Sequence, residues 1–177
     1  MNNESSQYLY FFKGPFSTWH KSNFKLDGIN YSSTKQYLMH QKALLFADKE
    51  IAKKILATNN PKEHKQLGIS IKNFDKIYWN DHCIQFMFRA CHAKFTQNKR
   101  LYDMLLNTAP AVLVEASEFD KIWGNGLNED ESKKTSTDKW PGTNWLGKTL
   151  TELRDFLLEE ERIEREYASS QRKKVKL

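Results

Sequence analysis

Clusters of apolar positions, broken by polar turns, divide the chain into short elements. Gln7-Tyr8-Leu9-Tyr10-Phe11-Phe12 is a run of β-favouring side chains ended by Lys13-Gly14-Pro15, and it predicts a strand. Phe24-Lys25-Leu26 and Ile29-Asn30-Tyr31 flank Asp27-Gly28, a pair that supplies the positive φ values of a two-residue turn, so a β-hairpin follows. Ser33 and Gln36 stand in capping-box relation, Ser33 as N-cap and Gln36 reaching back, ahead of a helix over 34–46. Asp48 is placed to cap a second helix carrying Ile51, Ile55 and Leu56. Asn60-Pro61 starts a third, which Gly68 is expected to close.

Farther on the period is helical. Ile84, Phe88, Cys91 and Phe95 predict a core stripe on a helix over 80–95. A shorter helix is expected over 99–107, then a compact apolar strand over 111–115. A final helix begins near Thr149, buries Leu150, Leu153 and Leu157, and becomes highly charged after Leu158. Between 117 and 148 no period emerges, and loops longer than about 12–15 residues are uncommon and often functional. Trp123, Trp140 and Trp145, set there among glycines, suit either the flat walls of a ligand cleft or plugs along the core edge. These elements describe an α+β fold: a mostly helical single domain with a small antiparallel sheet over 1–167, then a flexible basic tail over 168–177.

Composition narrows the class. The 177 residues are 39% hydrophobic and 13% aromatic, which excludes wholesale disorder and collagen-like architecture. No apolar run approaches the roughly 18 residues of a membrane helix, and the amino terminus lacks the layout of a secretory signal. A soluble cytoplasmic protein without a membrane partner is expected. The net charge is +6, yet Arg172, Lys173, Lys174 and Lys176 lie in a tail without acidic residues, so the body is nearly neutral. That tail reads as a solvated terminus or, more sharply, as a nuclear-import patch or a nucleic-acid foothold. Cys83 and Cys91 form no disulfide framework. His82 and His92 would point about 80° apart on a helix, so no metal site is expected and no cofactor is called for.

Longer motifs then accumulate in a definite order. Phe12-Lys13-Gly14-Pro15-Phe16 leads, followed by Asp27-Gly28-x-x-Tyr31-x-Ser33 and Lys35-Gln36-Tyr37…Gln41-Lys42-Ala43-x-x-Phe46. Phe74-Asp75-x-x-x-x-Trp79 and Ala93-Lys94-Phe95-x-Gln97-Asn98 come next. Leu113-Val114-Glu115-Ala116-Ser117, Asp120-x-Ile122-Trp123-Gly124-x-Gly126-Leu127 and Gly142-x-Asn144-x-Leu146-Gly147 close the series. In order and spacing, over roughly 8–158, the chain resembles the NADAR (YbiA-like) family. The resemblance implies cleavage of an N-glycosidic bond on ribose or ADP-ribose. The implied substrates are ADP-ribose attached to guanine, as in antitoxins that reverse a DNA-modifying ADP-ribosyltransferase, and phosphoribosylamino compounds. One departure stands out: the family pattern Ser-x-Glu-Gln-Tyr places a candidate catalytic glutamate where this chain has Lys35.

Breaking a ribosyl C–N bond builds positive charge on the sugar and negative charge on the leaving base, which a carboxylate and a proton donor relieve. With Lys35 in place of glutamate, Asp120 is the first choice for orienting water or steadying the sugar cation; its alternative role is to cap the turn before Trp123. Lys35 and Lys42 share a face of the first helix and together suit a diphosphate, or a lysine of lowered pKa attacks the ring-opened ribose as a Schiff-base nucleophile. By the resemblance, Trp79 and Trp123 would stack on a base, Asn23 and Asn144 would bind ribose hydroxyls or a base edge, and Gly124 and Gly147 would bring backbone N–H groups to phosphate. Gln36 joins this substrate-binding set. The expected activity is an N-glycosidase acting on ADP-ribosylated guanine in nucleic acid or on a related ribosylamine, with a cognate transferase as partner. The alternative is a non-catalytic module that keeps the ADP-ribose pocket with Lys35 in it.

Overall fold

The computed structural model describes residues 7–174, with side chains to 172. In chain order the elements are β1 (Tyr8–Phe11), β2 (Phe24–Leu26), β3 (Ile29–Tyr31), α1 (Thr34–Leu45), α2 (Lys49–Leu56) and α3 (Pro61–Ile69), followed by α4 (Lys76–Thr96), α5 (Lys99–Leu106), β4 (Val112–Glu115), α6 (Glu129–Lys134) and α7 (Trp145–Lys174). The fold is the expected mostly helical α+β domain. Among the described residues no helix is long and apolar enough to cross a membrane.

The antiparallel sheet is the β2–β3 hairpin, in register Phe24↔Tyr31 and Leu26↔Ile29. Asp27 and Gly28 adopt φ of 51° and 80°, the left-handed pair that such a turn demands. Phe24, Tyr31 and Tyr37 form a satellite core with Ala90 and Ala93. Arg89 of α4 grips the turn through both oxygens of Asp27, at 2.8 and 2.9 Å. The remaining strands, β1 and β4, pair in parallel from Tyr8↔Val112 to Phe11↔Glu115. The chain between them supplies α1 to α5, as a parallel crossover requires.

Among the described residues no third strand pairs with the outer edge of β4. Asn144, just before α7, and Thr151 within it substitute: Asn144 Nδ2 donates to the Leu113 carbonyl at 3.1 Å, its Oδ1 accepts from Glu115 N–H at 2.9 Å, and Thr151 Oγ1 accepts from Leu113 N–H at 3.0 Å. Gly147 permits the approach, because a Cβ there would lie 2.2 Å from the Leu113 carbonyl oxygen. Leu146, Leu150, Leu153 and Leu157 of α7 join Leu38, Met87, Phe95, Leu105 and Leu113 in the main core.

Several local expectations change. Ser33 caps α1 as read, but Gln36 reaches the N–H and hydroxyl of Ser32 at 2.7 and 3.0 Å instead of Ser33. Gly68 does not end α3; the helix runs to Ile69, and Gly68 is buried where a side chain would collide with Met39. The α4 stripe holds at Phe88, Cys91 and Phe95 but not at Ile84, which is exposed; the buried face also takes in Trp79, Cys83, Met87 and Ala90. The 117–148 stretch is not structureless, since Asn128 and Glu131 form a capping box for α6 and a 3-10 turn spans Thr137–Lys139. α7 begins at Trp145, earlier than Thr149, and stays helical through the expected tail to Lys174; residues 175–177 lie outside those described. Its outer half carries i,i+3 and i,i+4 ion pairs of Arg162 with Glu159 and Glu166, and of Arg165 with Glu161.

Candidate functional site

Because β1 and β4 are parallel, their carboxyl ends open at the same place. A cleft of about 480 Å³ lies there. Ligands of sheets containing parallel strands commonly bind outside such ends. Glu115, the last residue of β4, and Ser117 lie at its base; Phe12, Trp19 and Phe119 wall it; Lys13, Ser17, Lys65 and Asp120 complete the lining.

Glu115 is the unusual residue. It terminates an apolar strand, is only 8% exposed, and among the described residues its Oε2 has no hydrogen-bond partner. A buried, unsatisfied carboxylate is costly, so the group resists ionisation. Burial first and the charge of Asp120 second push its pKa up to about 7, against the pull of Lys35. Its backbone is fixed from two sides: the N–H by Asn144, and the carbonyl by Asn125 N–H at 2.9 Å. Gly124 lets the next loop pass beneath, since a Cβ there would sit 2.7 Å from the Asp120 carbonyl and 3.0 Å from that of Glu115.

Asp120 takes the capping role read for it from sequence and also stands in the cleft. Its Oδ1 accepts the N–H groups of Ile122 and Trp123 at 2.9 and 2.8 Å, which caps the turn, and the half-buried side chain also lines the cleft. Lys35 does not itself line the cleft; from the first turn of α1 it stands beside Trp19, which does. The lysine is 8% exposed, with its ammonium 5.9 Å from the centre of the Trp19 ring. Burial holds its pKa below the ordinary lysine value, and the charges of Asp120 and Glu115 partly restore it. Lys35, Asp120 and Glu115 therefore form one electrostatic group.

The other residues expected at the site are placed elsewhere. Lys42 Nζ donates to the Gly68 carbonyl at 2.8 Å and lies 3.9 Å from the centre of the Phe74 ring. Burial and the like charge of Lys35 lower its pKa, yet it does not line the cleft. Trp79 is a core residue beside Phe86, and Trp123 is a core residue packed edge-on against Trp145 at 5.9 Å. Asn23 is exposed beside the hairpin, in a separate depression shared with Lys21 and Lys25. Gln36 spends its amide on the carbonyls of Ile55 and Thr58. Asn144, Gly147 and Gly124 position β4 and its loop. The cleft walls that spacing missed are Phe12, Trp19 and Phe119, and the missed acid is Glu115. The available signal was a glutamate ending a strand otherwise fit for full burial, a place that residue type rarely occupies unless paired.

Among the described residues, no three His, Cys, Asp or Glu side chains are grouped to hold a metal ion. Cys83 and Cys91 are buried free thiols, their pKa values pushed up by burial to about 11 and about 12.

Known proteins are similar to this chain in sequence and in fold. The chain is 40% identical over 145 residues to an N-glycosidase, R617, of Acanthamoeba polyphaga mimivirus, covering 79% of this chain and 85% of the relative. It is 32% identical over 144 residues to the N-glycosidase YbiA of Escherichia coli K12, covering 81% of each. The NMR structure of E. coli YbiA superposes with a TM-score of 0.73 at 29% identity, covering 88% of both chains. The NADAR domain model matches residues 10–158, and with the fold and the end-of-strand cleft in place, the chain belongs to the NADAR domain family.

Proposed function

We propose that the protein is an N-glycosidase that hydrolyses a ribosyl C–N bond, with ADP-ribose on guanine in nucleic acid as its substrate and ribosylamines as related ones. Two relatives named as N-glycosidases support the bond type. The observation that carries the reading is Glu115, whose unpartnered oxygen and pKa of about 7 suit a group that exchanges a proton at neutral pH.

In this mechanism the sugar lies against Trp19 with its anomeric carbon between two carboxyl groups. Glu115 donates its proton to the departing base nitrogen as the C–N bond breaks. Asp120 steadies the oxocarbenium-like sugar and accepts a proton from the water that adds to that carbon. Two acids in one cleft, one kept protonated by burial and one turned toward backbone donors and solvent, are the usual way to divide these roles. Lys35 supplies the cation beside the sugar, while Lys13 and Lys65 stand at the rim for phosphate. Removal of a mark placed by a base-modifying transferase is the role that follows.

The test is incubation with ADP-ribosylated guanine DNA and with a phosphoribosylamine, following free ADP-ribose or ribose phosphate by chromatography. Release by the native chain, lost in Glu115→Gln, is expected. No release from either substrate, with release appearing in Lys35→Glu, would overturn native catalysis and favour a module that only binds ADP-ribose.

A further inference from the structure

A second cavity, larger than the cleft, lies elsewhere among the described residues. It is a groove of about 590 Å³ between β1 and the α6 segment, within the size range of ligand sites. Tyr8 and Tyr10 are two apart on β1 and so face the same side of the strand. Trp140 stands edge-on to Tyr8, with ring centres 5.9 Å apart, and spends its indole N–H on the Thr135 carbonyl at 3.1 Å. Lys133 lies 5.8 Å from the Tyr10 ring centre and is paired with Glu129, while Ser136 and Thr137 give a hydroxyl rim. Just past the end of β1, Phe12 walls the cleft and carries Lys13 at 5.8 Å from its ring centre.

Side chains on one face of a strand recur about every 6.6 Å, so Tyr8 and Tyr10 mark one such step along β1, with the cleft opening past the strand's end. That step is about twice the 3.4 Å rise of a stacked nucleotide, a spacing suited to a strand whose bases are splayed onto separate rings. Flat aromatic faces with hydroxyls and a lysine–glutamate pair at the edge suit nucleotide bases better than a purely apolar or purely anionic ligand. From this geometry we infer that the Tyr8–Trp140 groove is a base-binding subsite for single-stranded nucleic acid, holding a nucleotide that flanks the one in the cleft. The inference rests on the N-glycosidase reading only for the identity of the base in the cleft.

The experiment separates the two. Full-length protein is titrated with an unmodified, fluorescently labelled single-stranded hexanucleotide, and hydrolysis is measured separately on ADP-ribosylated guanosine, which is too short to reach the groove. Tyr8→Ala is expected to weaken hexanucleotide binding about tenfold or more, the size of a lost base stack, and to leave hydrolysis of the short substrate within about twofold. Thr137→Glu, at an exposed position that folding does not need, is expected to weaken binding in the same direction by repelling phosphate. Failure of the wild-type chain to bind the hexanucleotide, or equal binding by both variants, overturns the subsite. Absence of hydrolysis with groove-dependent binding intact would instead overturn only the glycosidase reading.

Discussion

Asn144 and Glu115 are joined across 29 positions of chain by a hydrogen bond of 2.9 Å, Asn144 Oδ1 accepting the Glu115 backbone N–H. The same amide donates to the Leu113 carbonyl at 3.1 Å, so one side chain satisfies two strand groups that would otherwise be buried without partners. Asn144→Ala should destabilise the fold by about 2–4 kcal/mol, since each orphaned buried group costs about 1–3 kcal/mol. The left-handed backbone at Asn144, φ 52°, adds to the cost. Denaturant unfolding measures it, and a change under 1 kcal/mol would show that the strand edge finds other partners.

Gly147 is the companion to that clasp. Gly147→Ala would place a methyl group on the Leu113 carbonyl and on the Asn144 amide, forcing α7 away from β4. A loss of about 1–3 kcal/mol or more is expected. Hydrogen exchange should localise it to β4, with the Leu113 and Glu115 amides losing protection first.

Glu115→Gln should reduce turnover by about 10²–10⁴-fold while leaving the fold intact, because the amide is nearly isosteric. Its effect on stability depends on pH. The carboxyl has a folded pKa of about 7, above the ordinary glutamate value of 4.5, so the folded state holds the proton more tightly. Its contribution is therefore fully present below about pH 4.5 and is lost as pH rises through about 7. The variant lacks that loss, and its stability relative to wild type should climb between pH 4.5 and 7.5 in parallel thermal melts.

Lys35→Met tests the coupling within the cleft. The lysine favours the ionised form of Glu115, so its removal should move the Glu115 pKa higher still. If Glu115 is the proton donor, the alkaline limb of the pH–rate profile shifts upward in the variant. A shift in the opposite direction would mean that the limb reports another group.

Lys94 should show the opposite pH slope. It is 1% exposed, donates to the Ser17 carbonyl at 3.1 Å, and burial lowers its pKa to about 8 from 10.5. The unfolded chain thus binds the extra proton, and wild type should gain stability relative to Lys94→Met as pH rises from 8 to 10.5. Paired urea titrations across that range provide the check.

Much of the fold was legible because it is local. The Asp27-Gly28 turn, the Ser33, Asp48 and Asn60 caps and the Pro61 start each act through a neighbour within a few residues, and each is found in place. The parallel pairing of β1 with β4 was not legible, since nothing in Tyr8–Phe11 names a partner about a hundred residues on. The site followed the same division. Lys35 and Asp120 carry charge and could be singled out, whereas Trp79 and Trp123 could not be told from core, because an aromatic that packs and one that stacks on a ligand look alike along a chain. Glu115 was passed over because its meaning comes from burial, which the α7 clasp creates.

That clasp divides the cleft into a fixed and a yielding side. Glu115 is held on a strand bonded along both edges, by β1 and by the side chains of Asn144 and Thr151, whereas Trp19, Phe119 and Asp120 ride on turns. Ligands of different bulk would then be accommodated by shifts of the aromatic rim, while the proton-bearing oxygen keeps its coordinates. Tolerance toward the group attached to the sugar and strictness about which bond is broken become properties of opposite walls.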